Sequence, residues 1–458
     1  MKYWQGGFVP DILLVICLLG VAALLRRSIA PLKRLGLPDS ILAGMLGLVL
    51  GPTGFDFLPI SSANLESVVY HGVGLIFAAI TLQSPPPRGA RHGMLSCIFV
   101  IPFMAAMQGI IGLSVVLGWN AVSGKVVHTG LGMVLPLGFN QGPGGAMTLG
   151  GAWEAGAGMQ DGAQIGLIMA AAGFIWCCAG GLVIISMGKK RQWMVPTTHS
   201  SNQNFDSIRT AAQPTAAAAG SMEPLVAQAV AIAVVYYATY LFVDGIAPLL
   251  PAKHEPTLWG LHFVIAGVFA LLMRHLLDRL PNGSPLNDEL LVRSSSVFIE
   301  LTTASALAAV QLGILAKWWG PVVLVSTLGG VFTAFATLWL ARRAFPESPF
   351  EHAVIVFGAM TGTTATGLAL LRLVDPDFRG PAARNFVLAA SAATLLAGPL
   401  LMLMPYPVFG FAENYLQSLL TSLGILIVYA AVIVIAWRRV GALRLFGSSL
   451  TLWPDPKK

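Results

Sequence analysis

The sequence predicts an all-α polytopic membrane protein: an inverted repeat of two halves, each with five transmembrane helices and one re-entrant interrupted segment, plus one extra C-terminal helix. Three observations predict it. Of the 458 residues, 56% are hydrophobic and only 10% are charged, against about 25% charged in a soluble domain. Thirteen apolar segments follow one another, many near the ~20 residues that cross a bilayer. Two of them are interrupted by glycine, hydroxyl and amide residues at matching places: Gly138 and Gly142 precede Gly358 and Gly362 by a constant 220 residues.

The first half, 1–187, holds segments near 9–25, 38–51, 65–82, 93–118, 129–156 and 161–187. The first is a retained span rather than a cleaved signal, because Arg26-Arg27 and Lys33-Arg34 follow its apolar run instead of preceding it. A Ser/Thr/Asn/Gln/Ala-rich stretch over 188–222 lacks an apolar core and reads as a flexible cytoplasmic linker. The second half, 223–404, repeats the order with segments near 224–250, 257–276, 294–313, 320–340, 351–371 and 384–404. A proline opens the second segment of each half, at Pro38 and Pro256. The remaining 405–458 carries a thirteenth segment, 415–437, and a tail.

Charge sets the topology, because cytoplasmic loops carry excess Lys and Arg. If all thirteen segments crossed, the triplet Lys189-Lys190-Arg191 would face outward. If the interrupted fifth segment of each half dips in and returns, the triplet moves inside. Only Lys2, Lys125, Lys253 and Lys317 then remain outside. Each half now crosses five times, an odd number, so the halves face opposite ways. The N-terminus is outside and the C-terminus cytoplasmic, with the two interruptions meeting near the midplane.

The interruptions read Pro136-Leu-Gly-Phe-Asn-Gln-Gly-Pro-Gly-Gly145 and Phe357-Gly-Ala-Met-Thr-Gly-Thr-Thr-Ala-Thr-Gly367. Irregular backbone at membrane depth survives only when buried in protein or lining a wet cavity. Gly142, Gly144 and Gly145 permit a sharp turn and close approach of a ligand, and Pro143 blocks helix continuation. A half-helix starting there points free N–H groups at the cavity, where an anion such as a carboxylate fits. Asn140, Gln141, Thr361, Thr363, Thr364 and Thr366, with Gly362, add neutral donors and oxygens. Such oxygens can hold Na⁺ without a buried net charge, and Asn140, Thr363 and Thr364 are the candidate ligands. The simpler alternative is close helix packing by small residues. Neither segment is a nucleotide loop, since both lack the Gly-Lys-Ser/Thr ending.

Leu37-Pro38-Asp39-Ser-Ile-Leu-Ala-Gly44, Phe77-Ala-Ala-Ile-Thr-Leu82, Gly138-Phe-Asn-Gln-Gly-Pro-Gly144, Trp153 and Thr361-Gly-Thr-Thr-Ala-Thr-Gly-Leu-Ala-Leu370, with the repeat order, resemble the glutamate:sodium symporter (ESS) family over roughly 1–404. The core Asn140-Gln141-Gly142-Pro143 departs from the Gly-Gly-His-Gly-like core of the glutamate permeases. The linker and thirteenth segment depart as well. The resemblance implies symport of glutamate or a related acidic amino acid or carboxylate with Na⁺ as coupling ion. It also implies a homodimer with an elevator-like moving part, in the inner membrane of a bacterium. No enzyme activity, no other cofactor and no nucleic-acid partner is expected.

Acids and bases at membrane depth are further candidates. Glu300 can bind a cation or carry a proton, or stay neutral and bonded to Ser296, Thr302 or Thr303. Proton coupling through Glu300 is the alternative to Na⁺. Arg372 can pair with a substrate carboxylate, or snorkel to the surface or pair with Asp375 or Asp377. Glu154 and Asp161 flank the return of the first loop as outer-mouth or loop acids, and His71 reads as an internally hydrogen-bonded histidine. Cys17, Cys97, Cys177 and Cys178 all lie in apolar segments and form no metal or disulfide pattern. An integral-membrane enzyme lacks support, with no His-Glu-x-x-His helix. A channel would also use re-entrant loops.

Overall fold

The computed structural model describes residues 7–29, 32, 37–84, 92–193, 222–252, 254–280, 284–376, 378–411, 414–444 and 451–454. Lys2 and Lys253 from the charge argument, Lys33 and Arg34 after the first span, Asp377, and most of the 188–222 linker lie outside the described residues.

Among the described residues the chain is all-helical. The first half contains α1 (Phe8–Ser28), α2 (Asp39–Leu50), α3 (Ser62–Thr81), α4 (His92–Ser123), α5 (Gly130–Pro136), α6 (Gly142–Ala157) and α7 (Gly162–Lys190). The second contains α8 (Pro224–Ile246), α9 (Glu255–Gly260), α10 (His262–Leu277), α11 (Asp288–Ala308), α12 (Leu312–Ala344), α13 (Pro349–Met360), α14 (Thr364–Leu371) and α15 (Pro381–Leu403). Then come α16 (Pro405–Gly410) and α17 (Tyr415–Arg439). Among the described residues nine helical stretches are long and apolar enough to cross a bilayer. The chain is an integral membrane protein.

One expectation changes in detail. The segments at 38–51 and 257–276 are not long helices. Pro38 and Gly51-Pro52 confine α2 to 12 residues, about 18 Å at 1.5 Å per residue. In the second half a break at Leu261 separates α9 from the 16-residue α10. The short second element thus recurs in both halves, and among the described residues each half contributes four long apolar helices and, at this position, one shorter apolar helix.

The hydrogen bonds fix which helix ends lie together. Buried Asp11, near the start of α1, accepts from Ser61 N (3.1 Å) and Asn64 Nδ2 (2.8 Å) at the start of α3. Arg26, near the end of α1, pairs with Asp39 at the start of α2 (2.6 Å). Thr53, just past α2, donates to Val310 O at the end of α11. So α2 and the turn after it run back along the length of α1.

The second half repeats this device. Buried Gln228, near the start of α8, accepts from Asn287 N at the start of α11 (3.2 Å). The end of α3 meets the start of α11: Ser84 N donates to Asp288 Oδ1 (2.9 Å), and Arg274 bridges Leu82 O and Asp288. Hence α11 runs antiparallel to α3. The packing pairs also correspond: α2 lies on α11 as α10 lies on α3, and α4 lies on α15 as α12 lies on α7. The two longest helices, α4 and α12, each carry an internal proline, Pro102 and Pro321, about three turns from their start.

Candidate functional site

Each interrupted segment is a helical hairpin. In hairpin 1 the helix α5 runs into a π-helical turn, Leu137–Gln141, and α6 starts directly after it. Its ends come together where His128 Nε2 bonds Ala157 O at 3.0 Å. This open end lies at the end of the bundle where α1 begins. Gln164, at the start of α7, joins Glu66 near the start of α3 (2.6 Å) and Ala309 O (3.2 Å).

Hairpin 2 is α13, the break Thr361-Gly362-Thr363, and α14. Its open end is closed by Asp375, which accepts from Arg379 N and Gly380 N (both 2.9 Å) beside Ser348. That end adjoins the end of α12 and the start of α4, where Ser96 Oγ donates to Ala344 O (2.6 Å). The hairpins therefore open at opposite ends of the bundle. Lys125 and Lys317 lie at the end where hairpin 1 opens. The arginines of Arg274, Arg342, Arg343, Arg372, Arg379 and Arg384 lie at the other.

The tips meet. Gly142 has φ +77° and ψ −176°, a region that is essentially restricted to glycine. A Cβ placed on it would come 3.7 Å from Thr363 Cγ2. Helix α7 holds both tips at Gly173, where a Cβ would come 2.7 Å from Thr361 O and 3.0 Å from Phe139 Cδ1. Helix α4 also touches both. Asn140 Nδ2 donates to Ile101 O (3.1 Å), and Gln108 Nε2 donates to Met360 O (2.8 Å) and Thr333 Oγ1 (3.0 Å).

The tip residues divide into two groups. Thr361 and Thr366 are buried, and their hydroxyls serve the fold. Thr361 Oγ1 donates to Phe357 O (2.8 Å). Thr366 and Thr363 cap α14 reciprocally: Thr363 Oγ1 accepts from Thr366 N, and Thr366 Oγ1 accepts from Thr363 N. Gly142, Gly144, Gly145 and Gly362 are buried backbone, with Gly144 pressed on Val73 of α3. Asn140, Gln141, Thr363 and Thr364 are half-buried. They form the partly accessible strip at the tips. No ionisable side chain occurs within 136–145 or 358–367, so the strip offers amides, hydroxyls and the first N–H groups of α6 and α14.

The other candidates lie elsewhere. Glu300 is exposed on α11, beside Arg26 and Asp39. Arg372 ends α14, two turns from Thr364, with its guanidinium 5.2 Å from the Phe378 ring. Asp161 is an anchored acid: Lys317 Nζ (2.5 Å) and Trp318 Nε1 (2.8 Å) both donate to it. These bonds hold its carboxyl below the usual carboxylate range. Glu154 accepts from Ala163 N. His71 bonds Tyr236 OH at 2.8 Å, as its reading as an internally bonded histidine requires. Sequence reasoning passed over Gln108, although a lone amide in the apolar 93–118 run was the available signal. Its Oε1 is buried without a hydrogen-bond partner, an uncommon state for such a group.

No protein-family model matches the chain, and no curated protein matches it either.

Proposed function

We propose that this chain is a secondary active transporter, a divergent relative of the glutamate:sodium symporters, that moves a small carboxylate together with Na⁺. The observation that carries the reading is the meeting of two broken-helix hairpins, open at opposite ends, at Gly142 and Thr363. Discontinuous helices with tips at the repeat interface are how many carriers build substrate sites near the midplane. In this reading α1 and α8 cross in opposite directions, the halves are an inverted repeat, and both hairpins are re-entrant. The antiparallel α3 and α11, each tied at its start to the first helix of its own half, support the inversion. The end rich in arginine is then cytoplasmic, and α1 starts outside.

The substrate carboxylate lies against the α6 and α14 N-termini, with Asn140, Gln141 and Thr364 as hydrogen-bond partners. Na⁺ takes neutral oxygens of the same strip. The protein works as a homodimer, one of whose parts moves like an elevator. Proteoliposome uptake tests this: acidic amino acids and dicarboxylates should accumulate under an inward Na⁺ gradient. Asn140→Ala and Thr364→Val should each cut uptake at least about tenfold, the effect of ~1.4 kcal/mol, while leaving the protein folded. No accumulation of any carboxylate under any Na⁺ gradient sinks the reading.

The exposed Glu300 beside the Arg26–Asp39 pair favours a second reading, proton coupling on the same fold. Uptake that follows pH rather than Na⁺, and is lost in Glu300→Gln, selects it.

A further inference from the structure

The C-terminal residues serve neither hairpin tip, yet they are tied to three elements around the open end of hairpin 2. Trp453 stacks on Trp193, just past α7, with ring centroids 4.5 Å apart and planes 16° from parallel. Its other neighbours are Phe350, in the first turn of α13 (6.3 Å, edge-on), and the Arg342 guanidinium at the end of α12 (5.3 Å). Arg342 Nη1 also donates to Pro454 O (2.9 Å), and the buried Arg343 donates through Nη2 to Thr451 O (3.0 Å). Leu452 and Trp453 pack on the apolar cluster of Ile184, Ile185 and Phe350.

The tail thus bridges the ends of α7 and α12 across the base of α13. Phe350 cannot swing away from α7 without breaking the Trp453 contacts. The attachment is also releasable. Thr451, Leu452 and Trp453 are only half-buried, and the bonds are one aromatic stack, one cation–π contact and hydrogen bonds to backbone oxygens.

We propose that residues 451–454 form a clamp that holds the open end of hairpin 2 against α7, and that releasing the clamp frees hairpin 2 but not hairpin 1. Its consequence for turnover rests on the transport reading; the clamp itself is measured without substrate. Amide hydrogen exchange of the full chain is compared with Trp453→Ala and with a chain ending at Arg444. Exchange over 349–371 should rise about threefold to tenfold, the size of one lost aromatic stack, with 130–157 unchanged. Trp453→Phe should restore most of the protection. Unchanged exchange over 349–371, or an equal rise in both hairpins, overturns the proposal. If the shortened chain does not fold, Trp453→Ala decides alone. A change in exchange without any carboxylate uptake would leave the clamp standing and remove the transport reading.

Discussion

Hairpin 1 is held by backbone packing, whereas hairpin 2 adds side-chain hydrogen bonds to a backbone contact of its own, where a Cβ on Gly367 would come 2.6 Å from Ile355 O. In hairpin 1 a Cβ on Gly150 would fall onto Gly162 O, and a Cβ on Gly166 would fall onto Ala146 O. Helices α6 and α7 touch there through bare backbone, as small residues allow in membranes. No side chain caps α6. Hairpin 2 instead spends its hydroxyls on itself through the Thr363–Thr366 box, and buried His352 bonds Ser348 O (2.8 Å) and Asn385 Nδ2 (3.1 Å) at its base. The difference predicts different sensitivities. Added volume should break hairpin 1, and lost polar atoms should loosen hairpin 2 while leaving hairpin 1 in place.

The largest effect is expected from Gly150→Leu. Its side chain has no room, and α6 and α7 must separate, at a cost of about 3 kcal/mol. Detergent-solubilised protein should lose its thermal transition or unfold well below the parent. Gly142→Ala sharpens the contrast, because the space beside Gly142 is open and only its backbone angle is strained, by about 1–3 kcal/mol. It should keep its fold better than Gly150→Leu yet bind ligand poorly. Equal loss of thermal stability in the two variants would mean that packing is not what distinguishes this hairpin.

For hairpin 2 the informative pair is Thr366→Val against Thr366→Ser. The hydroxyl accepts from Thr363 N and lies 2.8 Å from Gly358 O, so its removal strands buried groups at about 1–3 kcal/mol. Valine should speed exchange over 358–367 and lower the melting temperature. Serine should restore both. A serine variant as impaired as valine would show that the methyl group, not the cap, fixes the tip.

The hairpins were legible in sequence because glycine and hydroxyl clusters have no cheap place in hydrocarbon, so Asn140, Gly142, Thr363 and Thr364 stood out. The bounds of α2 were legible too: the 38–51 segment is the helix Asp39–Leu50, bracketed by Pro38 and Gly51-Pro52. The contacts between helix ends were not legible. They rest on long-range pairs such as Asp11–Ser61 and Gln228–Asn287, which no local pattern encodes. Gln108 was missed for a related reason. Its importance comes from contact with Met360, 252 residues away.

The smallest expected effect tests the outer rim of hairpin 1, where an ion pair ties the start of α7 to α12 through side chains rather than backbones. Asp161 joins the start of α7 to Lys317 and Trp318 near the start of α12. Its carboxyl titrates below the ordinary range because these donors favour the charged form. A depressed folded-state value means that the tie adds stability above the unfolded carboxylate range and loses it as pH falls through the folded value. The pair is partly exposed, so the contribution is within about 1 kcal/mol. Asp161→Asn should therefore lower the melting temperature slightly at neutral pH, and the difference should shrink as pH falls below the ordinary carboxylate range. A difference that grows as the solution is acidified would reverse the sign and remove the ion pair as the cause.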